Sequence, residues 1–138
     1  MTAHRKSGTA LSFLRDERGA TAVEFILILA PLIALTLGAI NVGLMVYTTS
    51  TLHYAADDAA RCATVRTTVC DTQAHLQTYA AAQYGGLTAA PTFTWTRPAD
   101  GQPCEKGNLV TATANYHFET GLNSAVVPLT AKGCYPLS

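Results

Sequence analysis

Charge is what this sequence lacks most. Nine Lys and Arg and nine Asp and Glu among 138 residues make 13%, about half the ~25% of ordinary soluble chains. They cancel to a formal net charge of zero. Beyond an N-terminal leader there is no basic block, so nucleic-acid binding has no electrostatic support. Cysteine is missing until Cys62. The four that follow, Cys62, Cys70, Cys104 and Cys134, never stand at the two-to-four-residue spacing of a zinc knuckle, which argues against a metal. A catalytic constellation is missing too. Ser50, His53 and Asp57 share a helical face without a nucleophile elbow. Gly85-Gly86 is not followed by the Lys-Ser/Thr of a phosphate loop. His75 and His117 stand alone and read as surface or packing residues. These absences leave no support for an enzyme, a cofactor or a small-molecule substrate.

The scarcity of charge is concentrated in one place. Phe25 to Tyr47 is a run of 23 residues without a formal charge. At ~1.5 Å rise per residue such a helix is ~35 Å long, enough for a ~30 Å hydrocarbon core. In lipid the backbone must satisfy its own hydrogen bonds, so a helix is the available solution. Pro31 removes one of those bonds and favours a kink. Gly38, Ala39 and Gly43 form a small-residue face without the GxxxG spacing.

His4, Arg5, Lys6, Arg15 and Arg18 precede the run, and no Lys or Arg follows it until Arg61. The positive-inside rule then predicts a cytoplasmic N-terminus and an extracytoplasmic C-terminal part. Cysteine chemistry agrees, because disulfides need an oxidising compartment such as a bacterial periplasm or the cell exterior. Four cysteines allow three pairings, and free buried thiols remain an alternative. Cys62–Cys70 with Cys104–Cys134 is the preferred set, since each pair shares one structural segment. A cleaved secretory signal fits less well, because the apolar run is too long and no clean A-x-A site follows it.

Upstream of the run, Gly19 is followed by Ala20-Thr21-Ala22-Val23-Glu24-Phe25 and then by continuous apolar sequence. This pattern resembles the leader of type IV pilin-like precursors. The fuller string, RGATAVEF with Pro31 and a downstream Ala59-Ala60-Arg61, is similar to the TadE-like proteins of tight-adherence (Tad/Flp) pilus systems. The resemblance covers about residues 15–66. It implies cleavage after Gly19 by a membrane prepilin peptidase, with Ala20 as the new N-terminus and Glu24 in fifth place. It also implies that Glu24, Phe25 and Pro31 belong to an assembly helix, and that a carboxylate–ammonium pairing of Glu24 registers subunits. The implied partners are the inner membrane, the peptidase, other pilin or pseudopilin subunits and the Tad assembly machinery. An unprocessed bitopic envelope protein, acting as an accessory or binding module, is the alternative. Independently of the resemblance, a carboxylate near a hydrocarbon core is costly, ~2.5–3.5 kcal/mol at the centre and less at the interface, so Glu24 needs a partner, water or the headgroups.

The expected fold class is α+β: a long N-terminal transmembrane helix continuing into an exoplasmic helix, then a small antiparallel sheet head. The segments read as 1–19, a leader; 20–50, the transmembrane helix; 51–86, an extracytoplasmic helical region; and 87–138, a β-rich head. Leu52, Ala55, Ala56, Ala59, Ala60 and Ala63 recur at helical spacing up to about Val65 and give a narrow alanine face that permits close helix approach, simple helix propensity being the alternative reading. Asp57 and Arg61 are i,i+4 partners. Asp71 is the expected cap of a second helix, 71–84, which Gly85-Gly86 stops. Period-two alternation marks strands at Thr92–Thr96 and Leu109–Phe118, with a weaker one at Ala125–Lys132 that Pro128 assigns to an edge or a bulge. Turns are expected at Ala99-Asp100-Gly101 with Pro103, and at Thr120 to Asn123. Phe93 and Trp95 read as core rather than as a sugar- or partner-binding patch.

Overall fold

The computed structural model describes residues 17–98, 104, 106–119 and 124–137, and for residues 17–20 and 119 the backbone alone. Most of the expected leader and both expected strand-connecting turns lie outside the described residues. Contacts divide the chain into two compact units, one ending at Ala39 and one running from Ile40 onward.

Helix α1 runs from Glu17 to Val65, 49 residues with Pro31 inside it, and at ~1.5 Å per residue measures ~74 Å. It begins before Gly19, so the Gly19–Ala20 bond lies within helix. In the first unit its apolar side chains are exposed all round: Phe25, Ile28, Leu32 and Leu35 are among them. A helix apolar on every face is buried in protein or spans a membrane. These residues are not buried in protein, and the helix is long and apolar enough to cross a bilayer. The chain is therefore a single-pass, membrane-anchored protein.

At the end of the apolar run four consecutive hydroxyl residues keep the helix intact. Thr48, Thr49 and Ser50 each donate to the carbonyl four residues back, and Thr51 to the carbonyl three back, at 2.8–2.9 Å. Such back-bonding lets short polar side chains satisfy themselves on a helix, which is how Thr48 can be fully buried. Arg66, Val69 and Cys70 then close the chain into turns on the Cys62 and Arg66 carbonyls.

Helix α2 spans Gln73–Gln83. Its cap is Thr72 rather than the expected Asp71: Thr72 has extended backbone, and its side chain accepts from the His75 amide. Asp71 is engaged elsewhere, on the His75 ring. Three strands follow, β1 (Thr92–Thr96), β2 (Gly107–Glu119) and β3 (Ser124–Pro136), in the antiparallel order β1-β2-β3. Strand β3 runs four residues past the expected Lys132 because all 13 of its residues pair with β2, from Ser124 opposite Glu119 to Pro136 opposite Gly107. The Leu137 amide donates to the Lys106 carbonyl. Alternation from that bond directs the odd-numbered groups of β3 at β2 and the even-numbered ones outward. Pro128 thus sits on an edge strand where its missing N–H breaks no ladder bond.

One sheet face carries Phe93, Val110, Ala112, Ala114, Leu129 and Ala131, all buried, and packs with Leu52, Ala55, Ala56, Ala59, Ala60 and Ala63 of α1. Trp95, Phe118, Val127 and Tyr135 flank this core. The helix and head form an α+β arrangement with a sheet head. The opposite face carries the exposed Thr92, Thr94, Thr113 and Thr130 and the half-buried Thr111, β-branched polar residues that suit a solvated sheet.

Candidate functional site

The residues singled out for processing and assembly lie at one end of α1. Gly19 and Ala20 are within its first turn. Glu24 and Phe25 follow with exposed side chains, Phe25 at 63%. Pro31 is also exposed. This stretch offers a bare apolar surface with one acidic residue near its start, a surface suited to lipid or to other apolar helices rather than to chemistry.

The remaining candidates lie in the head. Cys62 is joined to Cys70 with Cα atoms 5.8 Å apart, and Cys104 to Cys134 at 5.9 Å. The first bridge is buried and pins the corner between α1 and α2. The second ties the start of β2 to the end of β3. Leu109, opposite Cys134 in the ladder, is buried on the otherwise polar sheet face beneath it.

Three polar networks missing from the sequence reading fasten the elements to each other. Gln73 and Gln77 of α2 cover the outer edge of β1. The Gln73 side chain accepts from the Trp95 amide at 2.9 Å and donates to the Phe93 carbonyl at 2.5 Å. The Gln77 side chain accepts from the Phe93 amide at 2.7 Å and donates to the Pro91 carbonyl at 2.9 Å. Two carboxamides thus take the place of a fourth strand and remove an open edge. The spacing works because four helical residues rise ~6 Å, close to the ~6.6 Å of two strand residues. A Gln-x-x-x-Gln pair just upstream of a strand was the available signal.

The second network centres on Asn108. Trp95 Nε1 donates to Asn108 Oδ1 at 3.0 Å, and Asn108 Nδ2 donates to Thr64 Oγ1 at 2.9 Å. Asn108 is 4% exposed, and its partners on β1 and α1 make that burial tolerable. Arg97 stacks over the Trp95 ring at 5.1 Å, so Trp95 is occupied on its face and its edge, as befits core rather than a free binding patch.

In the third network, Tyr79 on α2 donates to Asp58 Oδ2 on α1 at 2.6 Å, and the Arg66 guanidinium donates to the Tyr79 hydroxyl at 3.2 Å. The hydrogen bond to Asp58 holds the Tyr79 hydroxyl above its ordinary range, with desolvation adding to it. At the exposed start of α2, the His75 ring contacts the Asp71 carboxylate at 2.5 Å. This contact holds the Asp71 carboxyl below its usual value. His75 is therefore not isolated. The expected Asp57–Arg61 pair is not formed: among the described residues the ion pair is His75–Asp71.

A cleft of about 250 Å³ lies between Ala89, Ala90 and Thr92 on one side and Thr113, Asn115 and His117 on the other. It brings together one titratable residue and no nucleophile–base pair. Among the described residues there is no cluster of three or more His, Cys, Asp or Glu that could hold a metal. The family of TadE-like proteins matches residues 19–61.

Residues 19–61 are similar to TadE-like proteins.

The match takes in just under a third of the chain, from Gly19 through the apolar run and the alanine face to Arg61. No curated protein and no solved structure gives a significant match. The sheet head therefore stands outside the matched region.

Proposed function

We propose that this TadE-like protein is a minor pilin or pseudopilin-like structural subunit for assembly of a Tad-type pilus. It is held in the bacterial inner membrane with its N-terminus cytoplasmic and its head outside, and a prepilin peptidase cuts it after Gly19. The observation that carries this reading is where the family match begins. It starts at Gly19, the residue before the expected cut, and runs without interruption through Glu24 and the exposed apolar helix. The flanking charges and the two disulfides support the orientation. After cleavage the Ala20 ammonium would lie one helical turn from Glu24. Pairing between them, within a chain or between neighbours, would offset the cost of a carboxylate beside hydrocarbon. The protein acts through helix and head surfaces and is not an enzyme.

Gly19→Val tests the processing step, because only a very small side chain is expected before the cut. The full-length chain should accumulate in the membrane, and a mutant that still matures to a chain beginning at Ala20 refutes cleavage at this site. Glu24→Ala separates anchoring from assembly. It removes a charge from an apolar helix, so insertion should persist while pilus output falls; normal pilus numbers would leave Glu24 without an assembly role.

A further inference from the structure

The end of the head nearest the apolar run is built differently from the rest. Two hydrogen bonds tie it to α1. Tyr116 on β2 donates its hydroxyl proton to the Asn41 carbonyl at 3.3 Å, and Tyr47 donates to the Gly85 carbonyl at 3.4 Å. Asn41 stands six residues inside the run that ends at Tyr47, or ~9 Å along the helix. Strand β2 therefore descends beside α1 from Asn108, bonded to Thr64, to a level where the helix is already apolar. Phe118 lies two residues further on, ~7 Å along the strand.

Charge avoids this end of the head. Between Asp71 and Arg97 there is no Asp, Glu, Lys or Arg, and between Lys106 and Lys132 there is only Glu119. Asp58, Arg66 and Arg97 lie toward the opposite end, around the corner bridge and Trp95. In place of charge the near end has an exposed tyrosine, Tyr47, a half-buried Tyr84, the buried Tyr116 whose hydroxyl reaches α1, and exposed aliphatic side chains. Leu87 is 59% exposed, Val126 is 56%, and Ala125 is exposed beside it. Tyrosines with one apolar and one hydrogen-bonding end, no basic or acidic cluster, and uncovered aliphatic groups are the composition of a membrane interface.

We infer that the 85–90 loop, with the described parts of β2 and β3 around Phe118 and Val126, forms a lipid-contacting surface, seated in the headgroup and upper acyl region of the leaflet from which the head emerges. The occupant is the bilayer because the surface is continuous with the apolar run and tied to it at two points. His117, exposed on β2, limits the depth, since it favours water or headgroups over hydrocarbon. The head is thereby held down on the membrane rather than standing free on its helix. This inference rests on membrane anchoring alone and does not depend on leader cleavage or on a pilus role.

The test uses the full chain reconstituted in phosphatidylcholine vesicles carrying a quencher on the upper acyl carbons. Tryptophan is introduced by Val126→Trp or Leu87→Trp, with Lys132→Trp as the control, and each variant is checked for both disulfides and for flotation with the vesicles. Native Trp95, at the far end of the head, provides the unquenched background. The added tryptophans at 126 and 87 should emit to the blue and be quenched several-fold more than the one at 132, independently of the protein-to-lipid ratio. Equal quenching at 126 and 132 in floated protein overturns the inference. So does a blue shift at 126 that disappears on diluting the protein in lipid, because a neighbouring protein copy would then be the cover. Failure to float would refute the anchoring itself.

Discussion

Gly133 of β3 lies directly against the Ala56 carbonyl of α1. A Cβ at Gly133 would overlap the Ala56 carbonyl group and the Asp57 amide nitrogen. The strand backbone therefore meets the helix backbone with no side chain between them. The alanine face from Ala55 to Ala63 permits this approach, and the partner it admits is a strand rather than another helix.

Replacing Gly133 tests that contact. Gly133→Ala requires helix and strand to separate, which should destabilise the head by about 1–3 kcal/mol, the usual range for overpacking. Gly38→Ala is the matched control, because nothing lies within 4 Å of its Cβ position. Thermal unfolding of the two variants should show a lowered midpoint for the first and little change for the second.

The glutamine pair should govern the edge of β1. Gln73→Ala or Gln77→Ala leaves strand groups of Phe93, Trp95 or Pro91 without their partners. Each loss is worth about 1 kcal/mol. Hydrogen exchange should speed at the Trp95 amide in the first variant and at the Phe93 amide in the second, while β3 amides stay protected. Unchanged exchange at both positions would mean that α2 does not close the edge.

Tyr79 makes the contact between α1 and α2 sensitive to alkali. Its proton is held by Asp58, so its folded pKa lies above the ordinary 10.0. The native state therefore keeps a proton that the unfolded chain releases. The stabilisation is complete below the unfolded value and is lost as pH rises through the folded one. Tyr79→Phe should be less stable than wild type near neutral pH and should lose less stability above pH ~10. Parallel stability curves for the two proteins across that range would count against the network.

The disulfides should differ in weight. Their sequence separations are 30 for Cys104–Cys134 and 8 for Cys62–Cys70. The chain-entropy model assigns them about 3.6 and about 2.5 kcal/mol. Cys104→Ala with Cys134→Ala should cost more than Cys62→Ala with Cys70→Ala, and reduction should first expose the ends of β2 and β3. Non-reducing peptide mapping that links Cys62 to Cys104 or Cys134, or finds four free thiols, would contradict this architecture.

Local chemistry settled much of this protein in advance. An uncharged run of 23 residues after a basic leader specifies one membrane helix, because lipid admits little else. The period-two pattern located β1, and the helical spacing of Leu52 and the alanines located the face that the head would cover. The cap of α2 was misplaced by one residue because Asp71 and Thr72 are both good capping residues, and the His75 ring draws Asp71 away. The far end of β3 was hidden because its residues 133–136 look like a loop and become strand only by pairing with β2. Partners remote in sequence belong to the tertiary structure alone. Gln73 and Gln77 cap an edge only when α2 lies beside β1, and Asn108 is tolerable in the core only between Trp95 and Thr64. Gly133 is required only because Ala56 stands opposite. A sequence declares what each residue wants from water, lipid and its near neighbours, whereas the identity of a distant partner exists only once the chain has brought the two together.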